Sequence, residues 1–154
     1  SATLTTTASD CTPVAGPLET VQTCTKLVAT LAKNALPAGD YSIRGLESRV
    51  AVERKEKADA YASLGRERAR FEREVARLSA YDYAAVVIEA DLADFLEAPA
   101  FSGMRPRAAV NTLVSWSVKY GVHVFFAGSR PLARALTYRI LEKFWKHRRE
   151  PDGT

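Results

Sequence analysis

The sequence predicts an α/β sandwich in which helices flank a mixed central sheet. Strand patterns alternate with helical patterns from residue 41 onward, an order that is typical of helices packed on the faces of a sheet. The chain has 154 residues, of which 47% are hydrophobic and 26% are charged. This length and balance suit one globular domain with a single core.

The first clear strand pattern in the sequence, which begins at residue 41, predicts a β-hairpin. Residues 41–44 and 49–55 are two short runs with the alternation expected of strands. The turn between them contains Gly45, which tolerates the backbone conformations of a tight bend.

Helices and strands alternate after the hairpin. Residues 58–81 have a helical period that Gly65 should bend or break, with Leu64, Phe71, Val75 and Leu78 on one face. Residues 84–89 and 122–126 are apolar runs typical of buried strands, separated by a helix over 107–120. The last helix has Ser129 as its N-cap candidate and Pro131 in its first turn.

The first 35 residues predict no single structure. Residues 19–36 mix apolar and β-branched side chains and fit either a helix or strands. Cys11 and Cys24 are too few for a structural zinc site, and they pair only if their Cα atoms approach within about 7 Å. We expect two free thiols in a cytoplasmic protein, because no secretory signal or membrane-spanning run is present.

The formal net charge of +4 mildly favours a polyanionic partner. Five arginines lie between residues 66 and 77, but Glu67, Glu72 and Glu74 are interleaved with them and neutralise part of the run. Because Arg66 and Arg68 are nearest to the candidate site in sequence, we expect these two to contact DNA.

The hairpin predicts a site with two carboxylates and a lysine. Residues two apart on a strand share a face, so Glu53 and Lys55 project together while Arg54 points away. The hairpin returns Asp40 to the neighbourhood of Glu53. Magnesium takes one or two carboxylates and keeps several waters, so Asp40 and Glu53 suit it as ligands, with Lys55 beside the attacked phosphate. Asp59, early in the next helix, would support them.

Other chemistries find little support in the sequence. No glycine-rich phosphate loop follows a strand, and neither His123 nor His147 belongs to a nucleophile–base set. We expect His123, within an apolar strand, to be a core residue. An isolated Glu-Arg-Lys triplet is also common on solvated strands, so spacing alone leaves that interpretation open.

The chain resembles the XPF-type nuclease domain, the excision-repair cross-complementing family four domain. The resemblance rests on Gly39 and Asp40, the Glu53, Arg54 and Lys55 triplet, and Asp59, which match the family's GD…ERKxxxD signature. Sequence similarity to the family also extends through residues 36–42, 50–55, 63–66 and 86–89. The resemblance therefore covers about residues 36–146.

The resemblance implies a restriction-endonuclease-like three-layer sandwich over residues 36–150, preceded by a divergent segment over 1–35. It implies a DNA endonuclease that uses Mg²⁺ or Mn²⁺ and acts on branched or flap DNA, in repair or recombination. It also implies a homodimer through the C-terminal helices. Asp40, Glu53, Lys55 and Asp59 would be its catalytic residues, with Asp40 and Glu53 on the metal and Arg54 in a structural or DNA-contacting role.

The sequence departs from the family pattern at two places. An Asp-x-Arg-Glu element usually ends the first strand, whereas here Asp10 is followed by Cys11 and Thr12. The alternative is therefore a catalytically weak DNA-binding or partner-binding module on the same fold. No helix-hairpin-helix tandem follows, so we expect a short version like those of bacteria and phages, associated with the nucleoid if bacterial.

Overall fold

The computed structural model describes residues 36–148 in full, together with the backbone of four strands nearer the N-terminus. The strands are β1 (Ala2–Thr5), β2 (Cys11–Val14), β3 (Val21–Cys24), β4 (Val28–Lys33), β5 (Tyr41–Ile43), β6 (Val50–Lys55), β7 (Tyr83–Ile88) and β8 (His123–Phe126). The helices are α1 (Lys57–Leu64), α2 (Arg68–Leu78), α3 (Leu92–Phe95), α4 (Pro106–Tyr120) and α5 (Arg130–His147).

Six of the described strands form a mixed sheet in the order β4-β1-β5-β6-β7-β8. The pairs β4/β1 and β5/β6 are antiparallel, and β1/β5, β6/β7 and β7/β8 are parallel. The mixed sheet predicted from the sequence is confirmed. The described backbone between residues 19 and 36 is strand, which decides between the two structures that the sequence left open. Strands β2 and β3 form a separate antiparallel pair, with Cys11 opposite Cys24.

Helices cover both faces of the sheet, as the sandwich prediction requires. Alternate residues of β6 enter different cores, since Ala51 packs with α1, α2 and α4 while Val50 and Val52 pack with α5. Strand β7 divides in the same way, with Val86 on the first face and Val87 on the second. The alternation follows from the period of two in a strand. The restriction-endonuclease-like three-layer architecture is confirmed.

The last helix packs its apolar stripe on the sheet. Ser129 caps α5 by accepting a hydrogen bond from the Leu132 N–H at 3.3 Å, as predicted. Ala133, Ile140 and Leu141 are buried in the second core, and Phe144 and Trp145 pack against its edge. In the part of the chain that the structure describes, no helix has the length and apolar character to cross a bilayer.

Two local features differ from the sequence prediction. Helix α3 was not predicted, because four residues are too few to show a period. Asp91 caps it, and Phe95 anchors it in the core beside the rings of Tyr61 and Phe126. The prediction that His123 is a core residue was wrong: it is exposed and stacks on the Tyr83 ring with centroids 4.4 Å apart.

Gly39 is a demanding position at the base of the hairpin. Its φ is +78°, and an added Cβ would lie 3.0 Å from Ala51 Cβ and 3.4 Å from the Val52 carbonyl oxygen. Gly45 in the hairpin turn has a similar φ of +86° but open space around it.

We predict that Gly39→Ala destabilises the fold more than Gly45→Ala does. Both variants suffer the left-handed strain of about 1–2 kcal/mol, whereas only Gly39→Ala adds the contact with Ala51. Urea denaturation of the two variants and wild type measures the difference. Equal losses in the free energy of unfolding would contradict the close approach at Gly39.

Candidate active site

The hairpin fixes Asp40 by two hydrogen bonds across β5 and β6. The Asp40 N–H donates to the Val52 carbonyl at 3.0 Å, and the Arg54 N–H donates to Asp40 Oδ2 at 3.0 Å. The positive φ of Gly39 turns the chain into this arrangement. One carboxylate oxygen of Asp40 is therefore used in orientation, and the second makes no hydrogen bond within residues 36–148 that would compete with a ligand.

Glu53 and Lys55 share a face of β6, as the strand period predicts. Lys55 Nζ lies 2.9 Å from Glu53 Oε1, and the two side chains are only 14% and 11% exposed. The Lys55 ammonium also lies over the Phe71 ring, 4.7 Å from its centroid. Contacts on two sides hold the lysine head group, which favours a defined position over a solvated one.

These three residues line one cleft of about 300 Å³ between the hairpin and helices α1 and α2. The helical side contributes Ser63, Glu67, Arg70, Phe71, Glu74 and Arg77. Four carboxylates therefore face three cations: Asp40, Glu53, Glu67 and Glu74 against Lys55, Arg70 and Arg77. With its carboxylates ionised, the lining carries a net charge of −1 and is better suited to a cation than to an unaccompanied phosphate.

Burial raises the pKa of Glu53 above its ordinary value, and the negative charge of Asp40 raises it further. Lys55 opposes both effects through its charge and hydrogen bond, and Glu74 adds a small increase. The folded protein therefore resists a second negative charge beside Asp40. A bound cation would relieve that repulsion, as expected where carboxylates are held together for binding.

The donor set fits a hard divalent cation that keeps part of its water shell. Asp40 and Glu53 supply two carboxylates at one cleft, and Mg²⁺ usually takes one or two from protein. Among the residues that the structure describes, no group of three or more histidine, cysteine or acidic side chains is gathered closely enough to bind a metal.

Arg54 lies on the opposite face of β6 and is held there. Its Nε is 3.1 Å from Glu89 Oε1, and its guanidinium lies 5.0 Å from the centroid of the Tyr41 ring. The side chain is 16% exposed. These contacts support the structural role for Arg54 and account for Glu89 as its partner.

The other predicted site residues lie outside the cleft lining. Asp59 is exposed in the first turn of α1. Arg68 donates to Thr112 Oγ1 at 2.9 Å and lies over the Trp116 ring, so it joins α2 to α4. The Arg66 side chain is 81% exposed, and its nearest carboxylate, Glu67, is 4.0 Å away.

Sequence reasoning missed the cleft-facing side of α2. Arg70, Glu74 and Arg77 recur at steps of four and three, which places them on one side of a helix. Phe71 and Val75 define the adjacent core face. The signal was present in the sequence, but proximity along the chain to the motif pointed to Arg66 and Arg68 instead.

We predict that Glu53→Gln stabilises the metal-free protein at neutral pH. Because the pKa of Glu53 is raised in the folded protein, folding favours the neutral form of this side chain. The resulting contribution to stability is fully present below the ordinary pKa of glutamic acid, and it is lost as the pH rises through the raised pKa. The charged form is therefore the less favourable one at pH 7. The melting temperature of Glu53→Gln should exceed that of wild type at pH 7, and the difference should shrink toward about pH 4.

The matched control is Glu47→Gln, in the hairpin turn at the end remote from the cleft. It removes the same charge without removing the repulsion between Glu53 and Asp40. A lower melting temperature for Glu53→Gln than for wild type at pH 7 would show that the ion pair with Lys55 outweighs the cost of burial.

Comparison with known proteins places this fold and site in a family. A family model, the ERCC4 domain, matches residues 18–140. Among solved structures, the chain is similar to XPF from Aeropyrum pernix, with 23% identity and a TM-score of 0.57, covering 75% of this chain and 53% of that chain. It is likewise similar to XPF from Aeropyrum pernix in complex with DNA, with 24% identity, a TM-score of 0.55, and coverage of 76% and 54%.

The chain thus spans about half the length of the two solved chains, and at this level of identity the likeness shows the fold. No curated protein matches the sequence. The family model covers well over half of the chain and includes the whole candidate active site, and on that evidence the chain belongs to the ERCC4 domain family.

Proposed function

We propose that the chain is a metal-dependent DNA endonuclease that hydrolyses phosphodiester bonds in the cleft. The observation that carries the proposal is the gathering of Asp40, Glu53 and Lys55 in one cleft, with Glu53 and Lys55 almost buried in contact. Burying an acid whose pKa is thereby raised destabilises the metal-free protein. Such an arrangement is typical of functional sites.

In this proposal, Asp40 and Glu53 hold Mg²⁺ or Mn²⁺. When bound, the ion would lower the pKa of a water molecule and neutralise charge on the phosphate. Lys55 supplies a positioned ammonium group for the negative charge that develops as the water attacks. Asp59 is exposed and does not line the cleft, so its proposed role is limited to support of the other residues. Asp59→Asn should therefore reduce cleavage less than Asp40→Asn does.

DNA binding is proposed through the phosphate backbone along α2. Arg70 and Arg77 line the cleft beside the catalytic residues, two helical turns apart. Arg68, expected from the sequence to contact DNA, is occupied by Thr112 and Trp116. Arg70 pairs with Glu74 at 3.7 Å but remains 71% exposed. Because Arg70 and Arg77 line the cleft, they have the better position for phosphate contacts, and Arg54 supports the strand from the other face.

Finer parts of the proposal concern the substrate and assembly. From the family resemblance, we propose that the substrate is branched or flap DNA and that the chain acts in repair or recombination. The same resemblance suggests that it acts in the cytoplasm or nucleoid. It also suggests a homodimer through α5. Because the main stripe of α5 packs in the core, a dimer would have to use side chains outside it, such as Leu132, which is 59% exposed.

We predict that Asp40→Asn and Glu53→Gln each abolish metal-dependent cleavage while DNA binding is retained. Cleavage of labelled flap, fork and linear duplex DNA with Mg²⁺ or Mn²⁺ measures this. The expected loss exceeds about a hundredfold, since changing groups that merely support metal ligands already costs about 10- to 100-fold. Removing a negative charge from the cleft should also tighten metal-free DNA binding.

Glu47→Gln again serves as the control and should cleave like wild type. Cleavage that persists in both cleft variants would contradict the proposed metal ligands. A second candidate, a binding module without catalysis, is favoured by the absent Asp-x-Arg-Glu element; Asp10, at that position, lies outside the described residues. DNA binding by wild type without cleavage in any metal would support that candidate.

We predict that Arg70→Ala and Arg77→Ala weaken DNA binding more than Arg73→Ala does. All three arginines lie on α2, but Arg73 is exposed and does not line the cleft. Each lost phosphate contact should lower the slope of log affinity against log salt concentration by about one, uniformly across DNA sequences. Fluorescence anisotropy over a salt series measures the slope. Equal effects from all three substitutions would indicate a diffuse charge effect.

A further inference from the structure

A second recess lies on the other side of α1 from the cleft. We term it the α1 groove. It has a volume of about 610 Å³, within the range of pockets that accept small organic groups. Its floor and walls include Ala58, Ala62, Gly65, Arg66, Phe101 and Met104. Nothing in the proposed hydrolysis uses these residues.

Phe101 is fully exposed at the rim of the α1 groove. It lies in the loop between α3 and α4, which is held by hydrogen bonds from the Ser102 N–H to the Pro99 carbonyl at 2.9 Å and from the Met104 N–H to Ser102 Oγ at 3.2 Å. A large aromatic ring is thus presented to solvent on a hydrogen-bonded turn. The wall that α1 contributes is mostly apolar, with Ala58 and Ala62 beside the buried Tyr61 and Leu64.

The charge of the α1 groove complements a phosphate. Among the described residues that line it, Arg66 is the one charged side chain; it is 81% exposed, with Glu67 Oε1 4.0 Å from its Nε. On the adjacent α3, Asp94 is paired with Lys57 at 2.8 Å. Arg105 and Arg107 are exposed at the start of α4, directly after the groove residue Met104.

The α1 groove is adjacent to the cleft. Arg66 lines the groove, and the next residue, Glu67, lines the cleft. Residues 66 and 67 thus bring the α1 groove and the cleft side by side at the turn between α1 and α2.

We propose that the α1 groove binds unpaired nucleotides of a single DNA strand, with a base stacked on Phe101 and a phosphate beside Arg66. Aromatic stacking combined with arginine contacts is the general mode by which single strands are bound without sequence preference. This inference rests on the proposed function, because it gives a DNA nuclease a place for the unpaired strand at a junction. An apolar peptide would use the ring but not the exposed cation.

The test is binding of fluorescein-labelled oligothymidylate and of a duplex of the same length, in EDTA so that no cleavage occurs. Phe101→Ala and Phe101→Leu should weaken oligothymidylate binding by about fivefold or more, as expected for one lost stacking contact. Phe101→Tyr, which retains a ring, should bind like wild type. Duplex affinity should be unchanged in all three variants. Because Phe101 is fully exposed, its substitution should not unfold the chain.

Val118→Ala is the matched control, because Val118 is an 82% exposed apolar residue on α4 that does not line the α1 groove. It should bind both probes like wild type. Arg66→Ala should weaken oligothymidylate binding and lower its salt slope by about 0.7. Oligothymidylate binding that is unchanged in Phe101→Ala, or a loss that is equal for duplex, would overturn the inference.

The outcomes separate this inference from the proposed function. Metal-dependent cleavage by wild type with unchanged oligothymidylate binding in Phe101→Ala would overturn the α1 groove proposal alone. The expected Phe101 pattern without cleavage by wild type would overturn the nuclease proposal and leave a single-strand binding site. Sedimentation of wild type and of Phe101→Ala completes the test. If wild type is a dimer and Phe101→Ala is not, while oligothymidylate binding is intact, this surface is an interface between two copies of the chain and the inference is overturned.

Discussion

The structure around the site depends on one hydrogen bond, from the Arg54 N–H to the Asp40 carboxylate. It joins the entrance of β5 to the end of β6 and fixes the acid on which the site is built. The left-handed conformation of Gly39 permits the approach. The same residue whose backbone orients Asp40 sends its side chain to Glu89 on the opposite face. The Glu53-Arg54-Lys55 segment therefore does three things at once. Its backbone orients Asp40, Arg54 forms a structural ion pair on one face, and Glu53 and Lys55 form the site on the other.

The cleft illustrates a conflict between stability and function. Burial raises the pKa of Glu53 and the charge of Asp40 raises it further, while Lys55 opposes these effects without cancelling them. A neutral or apolar cleft would be easier to fold. The arrangement makes physical sense if a cation completes it, because the cation would convert the repulsion between the two carboxylates into binding free energy. Family membership and this electrostatic argument are independent and support the same proposed function.

Much of the fold was predictable because strand and helix periods are local signals. The hairpin at β5 and β6, the Ser129 cap and the sharing of a face by Glu53 and Lys55 followed from spacing alone. Helix α3 did not, since four residues held by Phe95 in the core leave no period to detect. The helical side of the cleft was also not predicted. Arg68 binds Thr112 of α4 whereas Arg70 lines the cleft, and this difference depends on tertiary packing that the sequence pattern does not show.

Asp40 and Glu53 together form the proposed divalent cation site. Electron paramagnetic resonance of free Mn²⁺, titrated into wild type and single variants, measures such a site without relying on cleavage. We expect wild type and Glu47→Gln to bind Mn²⁺ with similar affinity, whereas Asp40→Asn and Glu53→Gln should each lose that binding. Mn²⁺ binding that is the same in all four proteins would contradict the claim.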